Sequence, residues 1–278
     1  MNTLFHSYDI GDYHVTAISD GEMTASLNLL SGIENSAAVN IQQCNGIIAP
    51  DNIHIYCYLI RGQGRIILVD AGMGKLNHVG GELKQNLFLL GVAPEDIDTV
   101  LLTHGHPDHI GGLQDERGRP TFGNAELYLS QAEADFWRDE AQLSRLNERA
   151  QMNGTRVRRT LDAYQPKLRF TENAVIAKGI SAVCLPGHTP GHTGYLIESC
   201  QQRLLIWGDI AHYPHIQIAH PEISIAFDND PLLAENTRKE LLARVARENL
   251  LIAGMHFGVT GFAYIRCAAE GQYVLEYV

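Results

Sequence analysis

Six consecutive residues carry the densest chemistry in the chain. His104-Gly105-His106-Pro107-Asp108-His109 holds three imidazoles and a carboxylate, and it follows the apolar run Thr99-Val100-Leu101-Leu102 after a single residue, Thr103. Chelating groups packed this closely repel or desolvate one another unless a cation neutralises them, so the segment reads as metal ligands rather than as packing. Imidazoles suit zinc and similar first-row metals, and carboxylates can bridge two of them. Further donors follow in order. His188 and His192 stand in Gly187-His188-Thr189-Pro190-Gly191-His192-Thr193, Asp209 follows Leu204-Leu205-Ile206-Trp207-Gly208, and His256 follows Leu250-Leu251-Ile252-Ala253-Gly254-Met255. Alone, His256 reads as an ordinary core or surface histidine, and Asp209 as a turn residue, because Gly-Asp commonly marks turns. Their ordered recurrence makes them candidates.

Each candidate lies at the carboxyl end of a short apolar run. Strands laid side by side bring their ends together, so four distant segments can meet at one point. Residues 13–19 alternate apolar and polar, as a half-buried strand does, and Asp20-Gly21 is expected to turn it. Residues 23–50 show no clean period and read as an irregular excursion able to cover the site. Residues 53–60 and 65–69 flank Arg61-Gly62-Gln63-Gly64 as a hairpin. Residues 75–91 predict a helix with the stripe Leu76, Val79, Leu83, Leu87 and Leu90, stopped by Gly91. A strand is expected at 125–129, with Ser130 capping the next helix and Glu133 three residues on. Residues 135–150 read as a charged helix with a solvated face, able to serve a dimer or a pocket wall. In the second half, strands are expected at 174–177, 180–185, 193–197, 204–207 and 250–253. Pro231 opens a helix over 232–249, and 264–266 with 273–277 form a hairpin around Glu270-Gly271.

The chain has 278 residues, 45% of them hydrophobic, which is ample for a substantial core in a single domain over 1–278. Its formal net charge of −11 gives no general attraction for polyphosphate or an anionic membrane surface, so neither nucleic acid nor membrane is expected as a partner. The five cysteines, Cys44, Cys57, Cys184, Cys200 and Cys267, are odd in number and form no C-x-x-C pair. They read as reduced, mostly buried thiols in a reducing compartment. The start of the chain has no basic region followed by an apolar core, and no apolar run approaches the ~20 residues of a membrane span. A cytoplasmic location is expected.

The order of these motifs resembles the metallo-β-lactamase superfamily. The resemblance runs from Ser19-Asp20-Gly21 through Val69-Asp70-Ala71-Gly72, the 104–109 segment, 186–193 and Trp207-Gly208-Asp209 to Phe227-Asp228-Asn229-Asp230-Pro231 and His256. Within the superfamily it is most similar to the methyl parathion hydrolase and quorum-quenching lactonase branch. The resemblance implies an α+β fold, the four-layer αββα metallo-β-lactamase sandwich of two mixed β-sheets with helices outside. It implies two divalent metal ions, zinc first, with iron, manganese or cobalt suited to the same donors. His104, His106 and His188 would hold one; Asp108, His109 and His256 the other; Asp209 would bridge both.

It also implies Asp70 and His192 as supports behind the ligands, and Asp108 as the group that carries a proton to the leaving group. The branch's lactonases often place a Tyr three residues beyond the bridging Asp to contact the substrate carbonyl. Here His212 holds that position and Tyr213 comes one later, so both are candidates for substrate contact. The activity implied is hydrolysis of a lactone or ester by a hydroxide held between the metals. N-acyl-homoserine lactones are the first substrate class, with phosphotriesters as a side activity. Two other readings stay open: a thioesterase of the glyoxalase II type, for which Arg266 is the only obvious basic residue after His256, and a metabolite-sensing protein of the same fold with little turnover. The partner expected is a small-molecule substrate, and the branch often forms homodimers.

Overall fold

In the computed structural model, which describes residues 5–172, 175–258, 260–269 and 271–278, the apolar alternation sorts the long strands into two mixed sheets. The first has seven strands in the order His6–Ile10, Tyr13–Thr24, Asn52–Gly62, Arg65–Val69, Thr99–Leu101, Glu126–Leu129 and Leu168–Phe170. It is antiparallel up to Arg65–Val69 and parallel beyond. The second has six strands, Gln272–Tyr277, Phe262–Ala269, Leu251–Ala253, Gln202–Ile206, Thr193–Ser199 and Ile180–Cys184. Only its Leu251–Ala253 and Gln202–Ile206 pair runs parallel.

Successive side chains on a strand point to opposite faces, and here they feed separate apolar layers. Ile67, Val69 and Leu101 face Leu204, Ile206 and Leu251 between the two sheets. Their neighbours Leu68 and Val100 turn outward against Leu83, Leu87, Phe136, Trp137 and Leu161 of the helices. On the other side, Leu205, Trp207 and Ile252 pack on Leu241, Leu242 and Val245 of the helix Pro231–Glu248. Three apolar layers between four structural layers give the αββα arrangement, with helices outside.

Several expected elements differ in detail. Asp20-Gly21 does not end the first long strand. The chain continues to Thr24 through a bulge at Ser19/Gly21, because the Asp20 carboxylate is used elsewhere, accepting from the amides of Met73, Gly81 and Leu83. The helix expected over 75–91 is cut to Leu83–Leu89. Gly80 and Gly81, like Lys75, Asn77 and His78, adopt positive φ, which a right-handed helix does not accommodate. The helix over 135–150 is three: Gln131–Arg138, Glu140–Leu143 and Glu148–Ala163. The breaks fall where Asp139 and Asn147 turn their side chains back to cap the next segment.

The 23–50 excursion is more regular than expected, with a helix at Asn35–Cys44. It packs as a fourth apolar cluster with Tyr213, Ile216 and Ile223. The strand expected at 174–177 begins at Ala174, outside the described residues, and Ala177 makes only an isolated bridge to Ile180. Glu270 of the terminal hairpin also lies outside them. All five cysteines are free, but only Cys57 is buried. Among the described residues no helix is long and apolar enough to cross a membrane.

Candidate metal centre

Strand ends of both sheets open on one spot. Thr99–Leu101 runs into the 104–109 segment, whose Pro107–Ile110 stretch forms one helical turn. Gln202–Ile206 delivers Asp209, and Leu251–Ala253 delivers His256. The loops are stitched together across the sheets: Thr193 N donates to Thr103 O at 2.9 Å, Ala71 N to His109 O at 2.7 Å, and the Tyr195 hydroxyl to Leu102 O at 2.6 Å.

The donor atoms converge in adjacent groups. His104, His106 and His188 form one; Asp108, His109, Asp209 and His256 form a second; within each, the ligand atoms lie within 4.8 Å of one another. His188, Asp209 and His212 satisfy the same limit. Asp209 touches both sides, with Oδ2 3.6 Å from His104 Nε2, 3.4 Å from His188 Nε2 and 3.1 Å from His256 Nε2, and Oδ1 3.3 Å from His109 Nε2.

The imidazoles are aimed from behind. His109 Nδ1 donates to Asp70 Oδ2 at 2.7 Å. His104 Nδ1 is 3.0 Å from the Thr103 hydroxyl, which itself donates to Asp70 Oδ2 at 2.7 Å. His256 Nδ1 donates to His54 O at 2.8 Å, and His188 Nδ1 to Asp228 Oδ1 at 2.8 Å. In the neutral ring that a metal requires, each outer nitrogen carries its proton outward and each Nε2 presents a lone pair inward. That arrangement leaves lone pairs facing one another: His106 Nδ1 is 3.0 Å from His104 Nε2 and 2.9 Å from His188 Nε2. His109 Nε2 and Asp209 Oδ1 are buried with no hydrogen-bond partner among the described residues. Buried polar atoms need partners, and a divalent cation in each group supplies them. The donor set fits two metals.

The electrostatics agree. Burial pushes His104 and His106 well below the usual histidine pKa, helped by neighbouring imidazoles, so both are neutral, as ligands must be. Burial opposes ionisation of Asp209 and Asp108. The surrounding imidazoles, His109 foremost, outweigh it and hold both carboxyls below their ordinary range.

The supports extend beyond those expected. Asp70 stands where the sequence suggested, behind His109 and, through Thr103, behind His104. His192 backs Asp209 rather than His188: its Nδ1 donates to Leu185 O, and its Nε2 accepts from Asp209 N at 2.8 Å. Asp228 is the carboxylate behind His188, steadied by the buried Arg238, whose guanidinium also reaches the carbonyls of Ile210, Pro221 and Ile223. Glu133, read from sequence as a cap partner, is fully buried and ties the two histidine loops together. Its oxygens accept from Gly105 N, Trp137 Nε1, Thr189 Oγ1 and Gly191 N.

Of the two substrate candidates, His212 is brought to the site. Its Nε2 is 3.1 Å from Asp209 Oδ2, and its ring stacks on His256. Tyr213 is not: its hydroxyl donates to Ala25 O within the fourth apolar cluster. A pocket of about 330 Å³ opens over the cluster, floored by His106, Asp108, Asp209 and His212 and walled by Met23, Met73, Leu76, Met152 and Phe227. A larger cleft of about 770 Å³ lies against Asp20, Lys84 and Arg117. It touches none of the converging imidazoles, so the chemistry marks the smaller pocket.

The chain was compared with known proteins. It is 29% identical to a crystallised hydrolase of the β-lactamase superfamily, AbOPH, with a TM-score of 0.91 over 99% of this chain and 97% of that one. It is 27% identical to AidC, a dizinc quorum-quenching lactonase solved with a bound product, with a TM-score of 0.90 and the same coverage. A hydroxyacylglutathione hydrolase, GloC of Haemophilus influenzae, is 28% identical over 138 residues, which is 47% of this chain and 58% of that protein. The chain thus spans about six tenths of the first curated relatives it matches. The family model of the metallo-β-lactamase superfamily matches residues 51–256, from the start of the strand Asn52–Gly62 through the last converging imidazole, and the chain belongs to that superfamily.

Proposed function

We propose that this protein is a dinuclear metal-dependent hydrolase of lactones and esters, with N-acyl-homoserine lactones as the first substrate class. One observation carries the reading: two adjacent groups of inward-facing donors share Asp209 at the floor of a pocket of about 330 Å³, within the size range of small-molecule sites. The likeness to AidC, itself a dizinc lactonase, supports both the substrate class and zinc as the metal. His104, His106 and His188 would hold one ion, Asp108, His109 and His256 the other, with Asp209 in reach of both. When bound, such a pair supplies Lewis acidity and lowers the pKa of coordinated water to about 7.

The chain's own residues do the rest. Asp70 and Asp228 fix the ring orientation of the imidazoles. The methionines, Leu76 and Phe227 take the apolar part of the substrate and exclude water. His212 lines the pocket, and its Nδ1 is buried without a hydrogen-bond partner among the described residues, so it is the ring atom left to meet a substrate carbonyl. Asp108 lines the pocket beside His109 and His256, which supports it as the group that carries a proton to the departing alkoxide.

The glutathione thioesterase reading leans on a cation near the end of the chain. Arg266, the one cation singled out from sequence, engages Glu276 and Asn249 away from the pocket. Among the described residues, the cations that line the pocket are instead Arg149 and Arg156, so thioesters belong beside lactones in the test. The reading takes the protein to be a cytoplasmic homodimer by likeness to its branch. Proton release by the metal-reconstituted protein, measured on homoserine lactones of several chain lengths beside thioesters and phosphotriesters, tests the activity. The expected result is turnover of lactones with two metals per chain. A protein that binds two metals and hydrolyses none of these substrates is a sensor, and the proposal fails.

A further inference from the structure

The helix Glu148–Ala163 turns one stripe toward the pocket. Arg149, Met152, Asn153 and Arg156 all line it, at the spacing that puts residues on one helical face. The stripe is chemically mixed: Met152 is 63% exposed and sits between two guanidinium groups. Arg149 also borders a second cavity of about 170 Å³, which shares His106, Asn153 and Phe227 with the first.

Neither arginine has an ion-pair partner among the described residues, although Arg149 feels the charge of Asp108 at a distance. The Arg149 guanidinium carbon lies over the Phe227 ring, 4.3 Å from its centroid, a cation–π contact that uses none of its N–H donors as hydrogen bonds. Among the described residues, no carboxylate lies within 4 Å of either guanidinium, and neither donates a hydrogen bond. Arg158, on the same helix but outside the pocket, does find partners in Trp137 O and Glu140. Arg149 also occupies the first turn of its helix, where the helix dipole disfavours a cation. That placement has no benefit for the helix itself. Among the described residues, the only carboxylates lining the pocket are Asp108 and Asp209, and both belong to the donor cluster, where bound cations would more than offset them.

We infer that the preferred substrate carries a negatively charged group, a carboxylate, remote from the bond that is cleaved, received by Arg149 and Arg156 with Met152 against the chain that links it. This rests on the hydrolase reading and narrows it, ranking neutral acyl-homoserine lactones below their carboxylate-ended counterparts.

The experiment uses homoserine lactones of matched length whose acyl chains end in a carboxylate or in a methyl group. The metal-loaded protein is expected to favour the carboxylate-ended lactone by about tenfold in kcat/KM, mostly through KM, the scale of a charge-assisted hydrogen bond. The preference should fall toward one in R149Q/R156Q and in ~1 M NaCl, where the Debye length is only about 3 Å. Calorimetry with adipate and hexanoate gives a readout independent of turnover. Adipate should bind more tightly to the parent protein and lose that advantage in the double variant, whose fold circular dichroism checks. Equal kcat/KM for the two lactones, or a preference unmoved in R149Q/R156Q, overturns the inference and leaves the hydrolase reading intact. If neither lactone is hydrolysed, the lactonase reading fails and calorimetry alone decides: tighter adipate binding that R149Q/R156Q abolishes supports the inference, and equal binding overturns it.

Discussion

The outer nitrogen of an imidazole decides what its inner nitrogen can do. Asp228 fixes His188 with a single 2.8 Å hydrogen bond, and it is a more isolated support than Asp70, which serves two histidines at once. Asp228→Asn keeps the size but leaves one acceptor oxygen, which can rotate toward Ile225 N instead. Metal affinity should fall by about 10–100-fold, the usual cost of losing such a support. Arg238 keeps its three carbonyl acceptors, so the fold should survive. Titration against a chelating dye measures the change, and an affinity equal to the parent's contradicts the role. The ligands themselves were legible in sequence because their types cluster and recur at strand ends. Asp70 by itself looks like any strand-end turn residue, and only the family resemblance pointed to it. Asp228 and Glu133 were not legible: Asp228 lies 40 residues from His188, and Glu133 lies 56 from Thr189. A lone carboxylate at that distance carries no sign of its target until the chain is folded.

Elements place these residues through tight turns rather than through long regular structure. After Gln202–Ile206 the chain must reverse within two residues to deliver Asp209, and Gly208 does so at φ +63°. A Cβ there would stand 2.3 Å from His192 Nε2, the atom that accepts from Asp209 N. Gly208→Ala should therefore cost about 1–2 kcal/mol in backbone conformation alone and also dislodge His192 from Asp209. The urea midpoint should drop, and metal content as isolated should fall with it. Gly123→Ala, where an added Cβ meets nothing within 4 Å, serves as the control. If Gly208→Ala behaves like that control, the turn does not position the ligand. The same physics limited how much of the fold could be read in advance. The apolar run Arg65–Val69 was plain because turn residues bound it, and the helix Pro231–Glu248 because it is long and strongly capped. The 75–91 stripe misled, because its apolar spacing continues across glycines whose backbone has left the helical region. The break at 139–147 was hidden because capping Asp and Asn look like any other charged or polar helix surface.

At the scale of the molecule, the four layers bury a cluster of ionisable groups whose histidines divide, some held neutral by burial and two held protonated by carboxylates until a metal takes the proton's place. Burial, joined by neighbouring imidazoles, holds His192 down at about 3 and His212 at about 4, and holds His104 and His106 well below the ordinary 6.5. For each, the unfolded chain takes up a proton near pH 6.5 while the folded chain refuses it, so stability present above 6.5 is lost as pH falls toward those lower values. His109 and His256 run the other way. Burial lowers them, but the surrounding carboxylates, Asp209 foremost, raise them above 6.5; their contribution is complete below 6.5 and cannot compensate further acidification. Metal-stripped protein should therefore show a urea midpoint that declines steadily from pH 7 to pH 5. Metal-saturated protein should sit higher throughout the neutral range, by about 2.7 kcal/mol when free metal is 100 times its Kd. That gap should narrow on acidification, since protons compete for the same imidazoles. Urea titrations of both forms at pH 7, 6 and 5 separate the two effects: a stripped protein indifferent to pH would mean that these histidines are not buried neutral, and a gap independent of pH would mean that they are not the ligands.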